Sequence, residues 1–230
     1  MTFAIVSCTQ QADYKQTLLY KSLAKLEKTN NLLLLDKLKF YTQNKRGLCT
    51  AYNDSLIRDP ENVDKDIMIF AHDDISVDDA GFISKLEEGH KTYDIIGVAG
   101  GLNPKLKAPA LWHIMCGGFQ GGDLRGFAGH YLPDGTTSIT NFGPSPARVA
   151  VIDGAFMSIN VKKVHDAGWK FNENYTFHHY DLSSCIDANK KKLKVGVVPI
   201  LTYHNSPGLR DINDKTFVEN QTKFLKEYAS

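Results

Sequence analysis

The sequence has few cysteines, no long apolar run and almost no net charge. Its four cysteines lie far apart and form no C-x-x-C pair, which argues against a zinc ribbon or a disulfide scaffold and favours a reducing compartment. A net charge of +1 gives no reason to expect a polyanionic partner. No basic region precedes a long hydrophobic stretch at the amino terminus, so we expect no signal peptide and a cytoplasmic protein.

The length and the apolar pattern together predict one large α/β domain. A chain of 230 residues can bury a sizeable core. Over the first hundred residues, short apolar runs alternate with segments of helical periodicity. Such alternation is typical of a largely parallel sheet with right-handed crossovers. We predict strands at residues 3–8, 32–35, 67–71 and 94–101, and helices at 14–28, at 47–58 and around Phe82 and Leu86.

Residues 103–148 interrupt this alternation with many glycines and prolines. A stretch of this length without periodicity is typical of a functional loop, an irregular hairpin or a mobile lid. An antiparallel excursion without a catalytic role is an equal alternative. Regular structure is predicted again afterwards, with strands at 149–152, 155–159 and 195–200 and with helices at 161–167, from 180, and at 217–228.

The most informative motif is His72-Asp73-Asp74, directly after the apolar run 67–71. Open α/β sheets bind ligands where their strands end. Two adjacent carboxylates repel each other unless a cation compensates them, and a divalent ion that carries phosphates does so. We therefore predict a metal-diphosphate site at Asp73 and Asp74. Adjacent acids in an ordinary turn are the alternative.

Two histidines lie near strand ends. His204 follows the last predicted strand and becomes a candidate nitrogen ligand if that strand lies beside the acidic one; a surface histidine is the alternative. His72 is a weaker candidate, because its side chain points away from that of Asp73 in an extended chain. We expect His72 to shape the turn.

Asp181 precedes a segment of helical periodicity, which allows two roles. As an amino-terminal cap, its carboxylate would bond the free amides of the first turn. As a general base, it would accept a proton from a nucleophilic hydroxyl within hydrogen-bond reach. The two roles are compatible with each other.

The order of these motifs resembles the nucleotide-sugar glycosyltransferases of the GT-A fold, in particular glycosyltransferase family 2 and its small bacterial and viral relatives. The resemblance extends from Ile5 to about Phe224. It implies one domain, with residues 1–101 as the nucleotide-binding half and 102–230 as the acceptor-binding half. The segments that carry it are His72-Asp73-Asp74, Asp153-Gly154-Ala155-Phe156-Met157-Ser158-Ile159, Phe171-Asn172-Glu173, His178-His179-Tyr180-Asp181-Leu182 and the strand near His204.

The resemblance also implies roles for individual residues. Thr9, Asp36 and Asn53 would form the nucleotide-base pocket, and Asp73 would face the ribose or the ion. Asp74 and His204 would bind Mn²⁺ or Mg²⁺ on the diphosphate. Asp153, Gly154 and Trp112 would border the sugar and the acceptor, and the aromatic ring of Trp112 suits a sugar face. Asp181 would be the catalytic base; because Leu182-Ser183-Ser184 follow where many relatives have further acids, a retaining mechanism stays open.

The implied activity is transfer of a sugar, with a UDP-sugar as the favoured donor, to an acceptor hydroxyl. The acceptor would be a glycan, a lipid-linked sugar or a hydroxylated DNA base. Arg125, His130 and Arg148 would lie in the acceptor wall and favour an acceptor that bears phosphate. The alternatives are a metal phosphohydrolase, which would also use His178 or His179, and a protein of this fold that only binds carbohydrate or nucleic acid.

Overall fold

The computed structural model describes residues 1–62, 64–107, 111–206 and 213–229. The strands are β1 (Phe3–Cys8), β2 (Leu38–Tyr41), β3 (Ile67–Ala71), β4 (Ile75–Val77), β5 (Ile95–Gly97), β6 (Ala99–Gly101), β7 (Leu124–Tyr131), β8 (Thr137–Gly143), β9 (Ala147–Arg148), β10 (Val151–Ile152), β11 (Phe156–Asn160), β12 (Val195–Val197) and β13 (Thr202–His204). The helices are α1 (Leu18–Asn30), α2 (Leu48–Asn53), α3 (Phe82–Gly89), α4 (Trp112–Met115), α5 (Val161–Asp166), α6 (Tyr180–Lys190) and α7 (Lys215–Tyr228), and a π-helical turn, Asp54–Arg58, continues α2.

The central sheet has the order β2-β1-β3-β11-β5-β12-β9. Strands β2, β1, β3, β5 and β12 run in one direction, while β11 and β9 run in the other. The predicted α/β fold with a mostly parallel sheet is therefore confirmed. Its parallel strands β1 and β3 end side by side, so Cys8 and Ala71 lead into one edge of the sheet.

A second sheet joins β10, β6, β7, β13 and β4 in that order, and β8 pairs with β7. Residues 124–143 of the glycine-rich stretch form this sheet's antiparallel hairpin, β7–β8. The register shifts at Gly126, whose φ of +84° belongs to the left-handed region that favours glycine. Strand β4, which follows β3, pairs with β13, and β13 pairs with β7. The hairpin and β13 therefore lie near the carboxyl end of β3.

Aromatic side chains fill the core beneath this edge. The ring of Tyr52 on α2 packs against Phe70 of β3 at 4.6 Å and against Phe171 at 5.3 Å, and all three residues are buried. Burial of each such ring contributes about 1.5–3 kcal/mol. These packed rings therefore support the end of β3, which His72 follows.

The predicted strand at 32–35 is wrong. Only Leu34 of its leucines is buried, and Leu33 is 71% exposed. The carboxylate of Glu27 accepts the N–H groups of Leu34 and Leu35 at 2.7 and 2.8 Å, so these amides bond to α1 instead of a strand. A 3₁₀ turn follows, and β2 begins only at Leu38.

Two other predicted strands are divided between the sheets. The run 94–101 breaks at Val98, whose carbonyl accepts the N–H of Phe127 in the second sheet. The run 195–200 ends at Val197, shortly before Pro199. Strand β13 then begins, so His204 is the last residue of a strand and not a loop residue. Within the described ranges, no helix combines the length and the apolar character needed to cross a membrane.

Candidate active site

Three side chains that can bind a metal converge after β3. Oδ1 of Asp74 lies 3.1 Å from Nε2 of His204 and 3.9 Å from Nδ1 of His72. The donor atoms of the three residues all lie within 4.8 Å of one another. Three backbone hydrogen bonds hold the segment: the N–H of His72 donates to the carbonyl of Ala155, and the carbonyls of Asp73 and Asp74 accept from the N–H groups of Leu19 and Asn205.

The turn between β3 and β4 determines which residues meet. His72 directly follows β3, Asp73 and Asp74 lie in the turn, and the cluster contains the side chains of His72 and Asp74 but not that of Asp73. The negative charge of Asp73 is one cause, after burial, that raises the pKa of Cys8 at the end of β1 to about 12. Asp73 thus lies on the side of β1, while Asp74 lies on the side of β13.

The electrostatics of the cluster suit a cation. Burial acts to lower the pKa of His204, but its hydrogen bond with Asp74 and the charge of Asp74 outweigh burial, and the pKa is raised. Burial and the charge of His204 lower the pKa of His72, which keeps the His72 ring neutral. A positive charge beside Asp74 is therefore favoured, and His72 offers a neutral nitrogen.

The donor set fits a divalent transition-metal ion. Two imidazoles and one carboxylate leave coordination positions for other ligands, as a diphosphate requires. Mg²⁺ prefers a shell of oxygen atoms, whereas imidazole nitrogen suits transition-metal ions. His72, Asp74 and His204 can therefore hold a divalent transition-metal ion.

Tyr180 connects this cluster to the first turn of α6. Its buried hydroxyl donates to the carbonyl of Gly154 and lies 2.9 Å from Nε2 of His72. Gly154 must lack a side chain, because a Cβ there would lie 2.5 Å from the Tyr180 oxygen and 2.9 Å from Cβ of Asp181. The predicted Asp153-Gly154 motif thus lets α6 approach β11.

Asp181 lies in the first turn of α6 and is not its cap. The cap position belongs to His179, whose φ is +64°, and His179 bonds Gln221 of α7. Burial, with the charge of Asp153 as the second cause, raises the pKa of Asp181 to about 7. A carboxyl group with such a pKa can accept a proton near neutral pH.

Asp153 is held by two hydrogen bonds. Nε1 of Trp112 donates to one carboxylate oxygen at 2.8 Å, and the N–H of Ala155 donates to the other at 2.8 Å. The Trp112 ring is only 5% exposed. It lines the cavity but offers little face to a sugar; at this site, the exposed rings belong to Phe119 and Phe177, at 65% and 49%.

One cavity of about 380 Å³ joins these groups. Its size falls in the range of small-molecule sites. The hairpin β7–β8 forms one wall, and the segment before α6 forms another. Among its lining residues are His72, Asp74, Trp112, Phe119, His130, Phe142, Asp153, Gly154, Phe177, Asp181 and His204.

The residues predicted for the nucleotide base are dispersed. Thr9 follows β1, and its N–H donates to Tyr41 at the end of β2. Asn53 is fully buried and exchanges two hydrogen bonds with the backbone of Phe171. Asp36 was expected after the second strand but lies before it, exposed, at the opposite sheet edge from Thr9, because β1 and β2 are parallel.

The sequence ranks His72 below His204 as a ligand and assigns Tyr180 no role. The alternation of an extended chain does not apply at His72, because the strand ends at Ala71 and Asp73-Asp74 lie in a turn. No local signal identifies Tyr180, because its partners Gly154 and His72 are remote in sequence. The cluster contains neither His178 nor His179, which the phosphohydrolase alternative would use.

The sheet order, the strand end that bears His72 and Asp74, and the second sheet beside it define a GT-A fold. A197 from STIV shares this fold with a TM-score of 0.52 at 12% identity, over 90% of this chain and 86% of that chain. The structure of GalNAc-T7 with UDP, GalNAc and Mn²⁺ gives a TM-score of 0.57 at 11% identity, over 98% of this chain. This chain spans 48% of that structure's length. No protein-family model and no curated protein sequence matches the chain.

Proposed function

We propose that this chain is a metal-dependent glycosyltransferase that moves a sugar from a nucleotide diphosphate to an acceptor hydroxyl. The proposal rests on one observation: a single cavity contains both a candidate metal site and a candidate base. The metal site is the cluster of His72, Asp74 and His204, and the base is the carboxyl of Asp181, whose pKa is raised to about 7. The GT-A fold supports it, and the GalNAc-T7 structure of that fold contains UDP, GalNAc and Mn²⁺.

The donor is a UDP-sugar in this proposal. Thr9, at the end of β1, borders the base, with Asn53 supporting the neighbouring loop, and Asp73 faces the ribose from the side of β1. His72, Asp74 and His204 would hold Mn²⁺. The bound ion would supply positive charge that stabilises the leaving diphosphate.

Asp181 acts as the general base. Its carboxylate takes the proton of the acceptor hydroxyl, and the acceptor oxygen forms a bond to the anomeric carbon. The bond from that carbon to the diphosphate breaks with its electron pair on the diphosphate. Attack from the face opposite the leaving group inverts the anomeric configuration.

Asp153 and Gly154 set the position and the strength of this base. The charge of Asp153 raises the pKa of Asp181 after burial, and Trp112 keeps the Asp153 carboxylate in place. Asp153 lines the cavity and also accepts hydrogen bonds from hydroxyl groups of the sugar or the acceptor. Gly154 has no side chain, so the first turn of α6 can bring Asp181 close to it.

A transfer assay tests the proposal. Wild type with Mn²⁺ and a set of nucleotide sugars should form a glycosylated product or, without acceptor, release free sugar from one donor. Asp181→Asn should lower turnover by about 10²–10⁴-fold. Asp78→Asn, an exposed acid after β4, is the matched control and should keep wild-type turnover.

Other outcomes separate the alternatives. Tight nucleotide-sugar binding without turnover of any donor would identify a protein that only binds. Phosphate release from simple esters, without any sugar nucleotide, would identify a phosphohydrolase. Either result would overturn the proposed transferase.

A further inference from the structure

An aromatic wall leads from the carboxylates of the cavity to solvent. We define it as Trp112, Phe142 and Phe119. The Trp112 ring packs edge-to-face on Phe142 at 5.0 Å, and Phe142 stacks on Phe119 at 5.6 Å with an interplanar angle of 19°. Its inner end holds Asp153 through the indole N–H, and its outer ring is 65% exposed.

The wall is aligned with the reaction site. Asp153 and Asp181 interact electrostatically, so the inner end of the aromatic wall lies beside the proposed base. A molecule that lies along the wall would place one end at Asp181 and its other end at Phe119. An exposed aromatic ring at the mouth of a cavity offers a flat apolar face to a ligand.

The charge of the cavity disfavours phosphate on the acceptor. Among its described lining residues there is no lysine and no arginine, whereas Asp74, Asp153 and Asp181 are present. Nη1 of Arg125 donates to the carbonyls of Gly122 and Leu124. Arg148 lies on β9, at an outer edge of the central sheet. The expectation that these arginines attract a phosphate-bearing acceptor is therefore not supported.

Uncharged hydrogen-bonding groups lie beside the aromatic wall. Thr140 of β8 and His113 of α4 line the same cavity, and the His113 ring lies 6.0 Å from that of Phe119. Burial lowers the pKa of His113, so it presents a neutral imidazole near pH 7. The most exposed apolar side chains of the lining are the rings of Phe119 and Phe177, while the aliphatic lining residues Ile75, Val98 and Leu182 are buried.

A flat ring face, neutral donors and acceptors, and a described lining without lysine or arginine together match an uncharged sugar, which has an apolar face of C–H groups and a rim of hydroxyls. We propose that the acceptor is a neutral saccharide that stacks a sugar ring on Phe119, at the mouth of the cavity, and reaches inward with a hydroxyl at Asp181. This inference rests on the proposed function and names the acceptor class for the same site.

Two acceptor pools test it. One contains neutral oligosaccharides, and the other contains poly(ribitol phosphate), a polyprenyl-phosphate sugar and a hydroxymethylated DNA oligonucleotide, each with a labelled donor and Mn²⁺. Product should form in the neutral pool. Phe119→Ala should raise the acceptor KM about tenfold, as expected for loss of one stacked ring, whereas Phe119→Tyr should keep it. Ile139→Ala, an exposed apolar truncation on the neighbouring strand β8, is the control and should change nothing.

Separate readouts keep this inference distinct from the proposed function. Donor hydrolysis and the thermal shift with UDP and Mn²⁺ should be equal in wild type and Phe119→Ala. Product in the phosphate-bearing pool with a KM that rises with salt would overturn the neutral-saccharide proposal. So would an unchanged KM in Phe119→Ala, or donor hydrolysis with product in neither pool. Absence of donor binding would instead overturn the proposed function.

Discussion

The hydroxyl of Tyr180 fixes the tautomer of His72. A phenol has one proton, and Tyr180 donates it to the carbonyl of Gly154. Nε2 of His72, 2.9 Å from the same oxygen, must therefore carry its own proton and donate it. The lone pair of the neutral ring then lies on Nδ1, the nitrogen that faces Asp74. Such outer partners orient the ligands of metal sites.

Tyr180→Phe should weaken Mn²⁺ binding by about 10–100-fold, because the ring of His72 loses the partner that holds its orientation. A titration followed by the EPR signal of free Mn²⁺ measures the affinity directly and needs no turnover. Tyr175→Phe is the matched control, since Tyr175 is a buried tyrosine that bonds Glu227 away from the cavity. Equal Mn²⁺ affinity in both variants would contradict the role of Tyr180.

His72 and Asp73 should differ in how their substitution affects Mn²⁺ binding. His72→Ala should abolish measurable Mn²⁺ binding, as loss of a ligand does, although the sequence makes His72 only a weaker candidate. Asp73→Ala should weaken Mn²⁺ binding far less, because Asp73 is not part of the cluster and only its charge acts on His72. Isothermal titration with Mn²⁺ alone compares them. The reverse order of affinities would show that the cluster is wrongly assigned.

The pH dependence of transfer should follow Asp181. Its pKa is raised to about 7, mainly by burial, and only the ionised carboxylate accepts a proton. Activity should therefore rise with pH through about 7 and then level off. The measurement is kcat/KM against pH, which reports the groups of the free enzyme. A flat profile down to pH 5 would contradict a base with a raised pKa.

Asp153→Asn should move that profile to lower pH. The charge of Asp153 is the second cause of the raised pKa of Asp181, after burial, so its removal lowers the pKa. The asparagine retains an oxygen that can accept the indole N–H of Trp112. The midpoint of the same pH profile reports the shift. A midpoint that stays in place would mean that burial alone sets the pKa.

His90 should make the fold sensitive to acid. Its ring bonds the carbonyl of Tyr93 and the hydroxyl of Ser158, and burial lowers its pKa from 6.5 to about 4. The neutral ring therefore stabilises the fold above pH 6.5, and this contribution, about 3 kcal/mol, is lost as pH falls toward 4. Urea unfolding at several pH values should show a flatter pH dependence for His90→Gln. An unchanged slope would rule out this source.

The strands that hold the site could be predicted, because their apolar runs are continuous. β1 was predicted as residues 3–8 and β3 as 67–71, and both have those bounds. The run 32–35 misled because three of its four leucines are not fully buried and Glu27 takes the amides. The apolar pattern of residues 32–35 does not show that the Glu27 carboxylate competes for their backbone N–H groups.

The site could be predicted only in part, because its residues are distant from one another in the sequence. Asp74 and His204 could be proposed from strand ends, and the structure brings them within 3.1 Å. The second sheet could not be predicted, because short strands such as Ile75–Val77 and Thr202–His204 carry too few residues for a periodic signal. Trp112 was proposed as a sugar platform, and only the fold shows that its indole N–H bonds Asp153.

Binding of UDP with and without Mn²⁺ tests whether Asp74 belongs to a metal-dependent site for a nucleotide diphosphate. Thermal-shift titrations would compare wild type with Asp74→Ala and the control Asp78→Ala, and a ligand that binds the folded state alone raises the melting temperature. We expect a UDP shift in wild type and in Asp78→Ala that requires Mn²⁺ and disappears in Asp74→Ala. A shift that is independent of Mn²⁺ and of Asp74, or no shift for any nucleotide diphosphate, would contradict it.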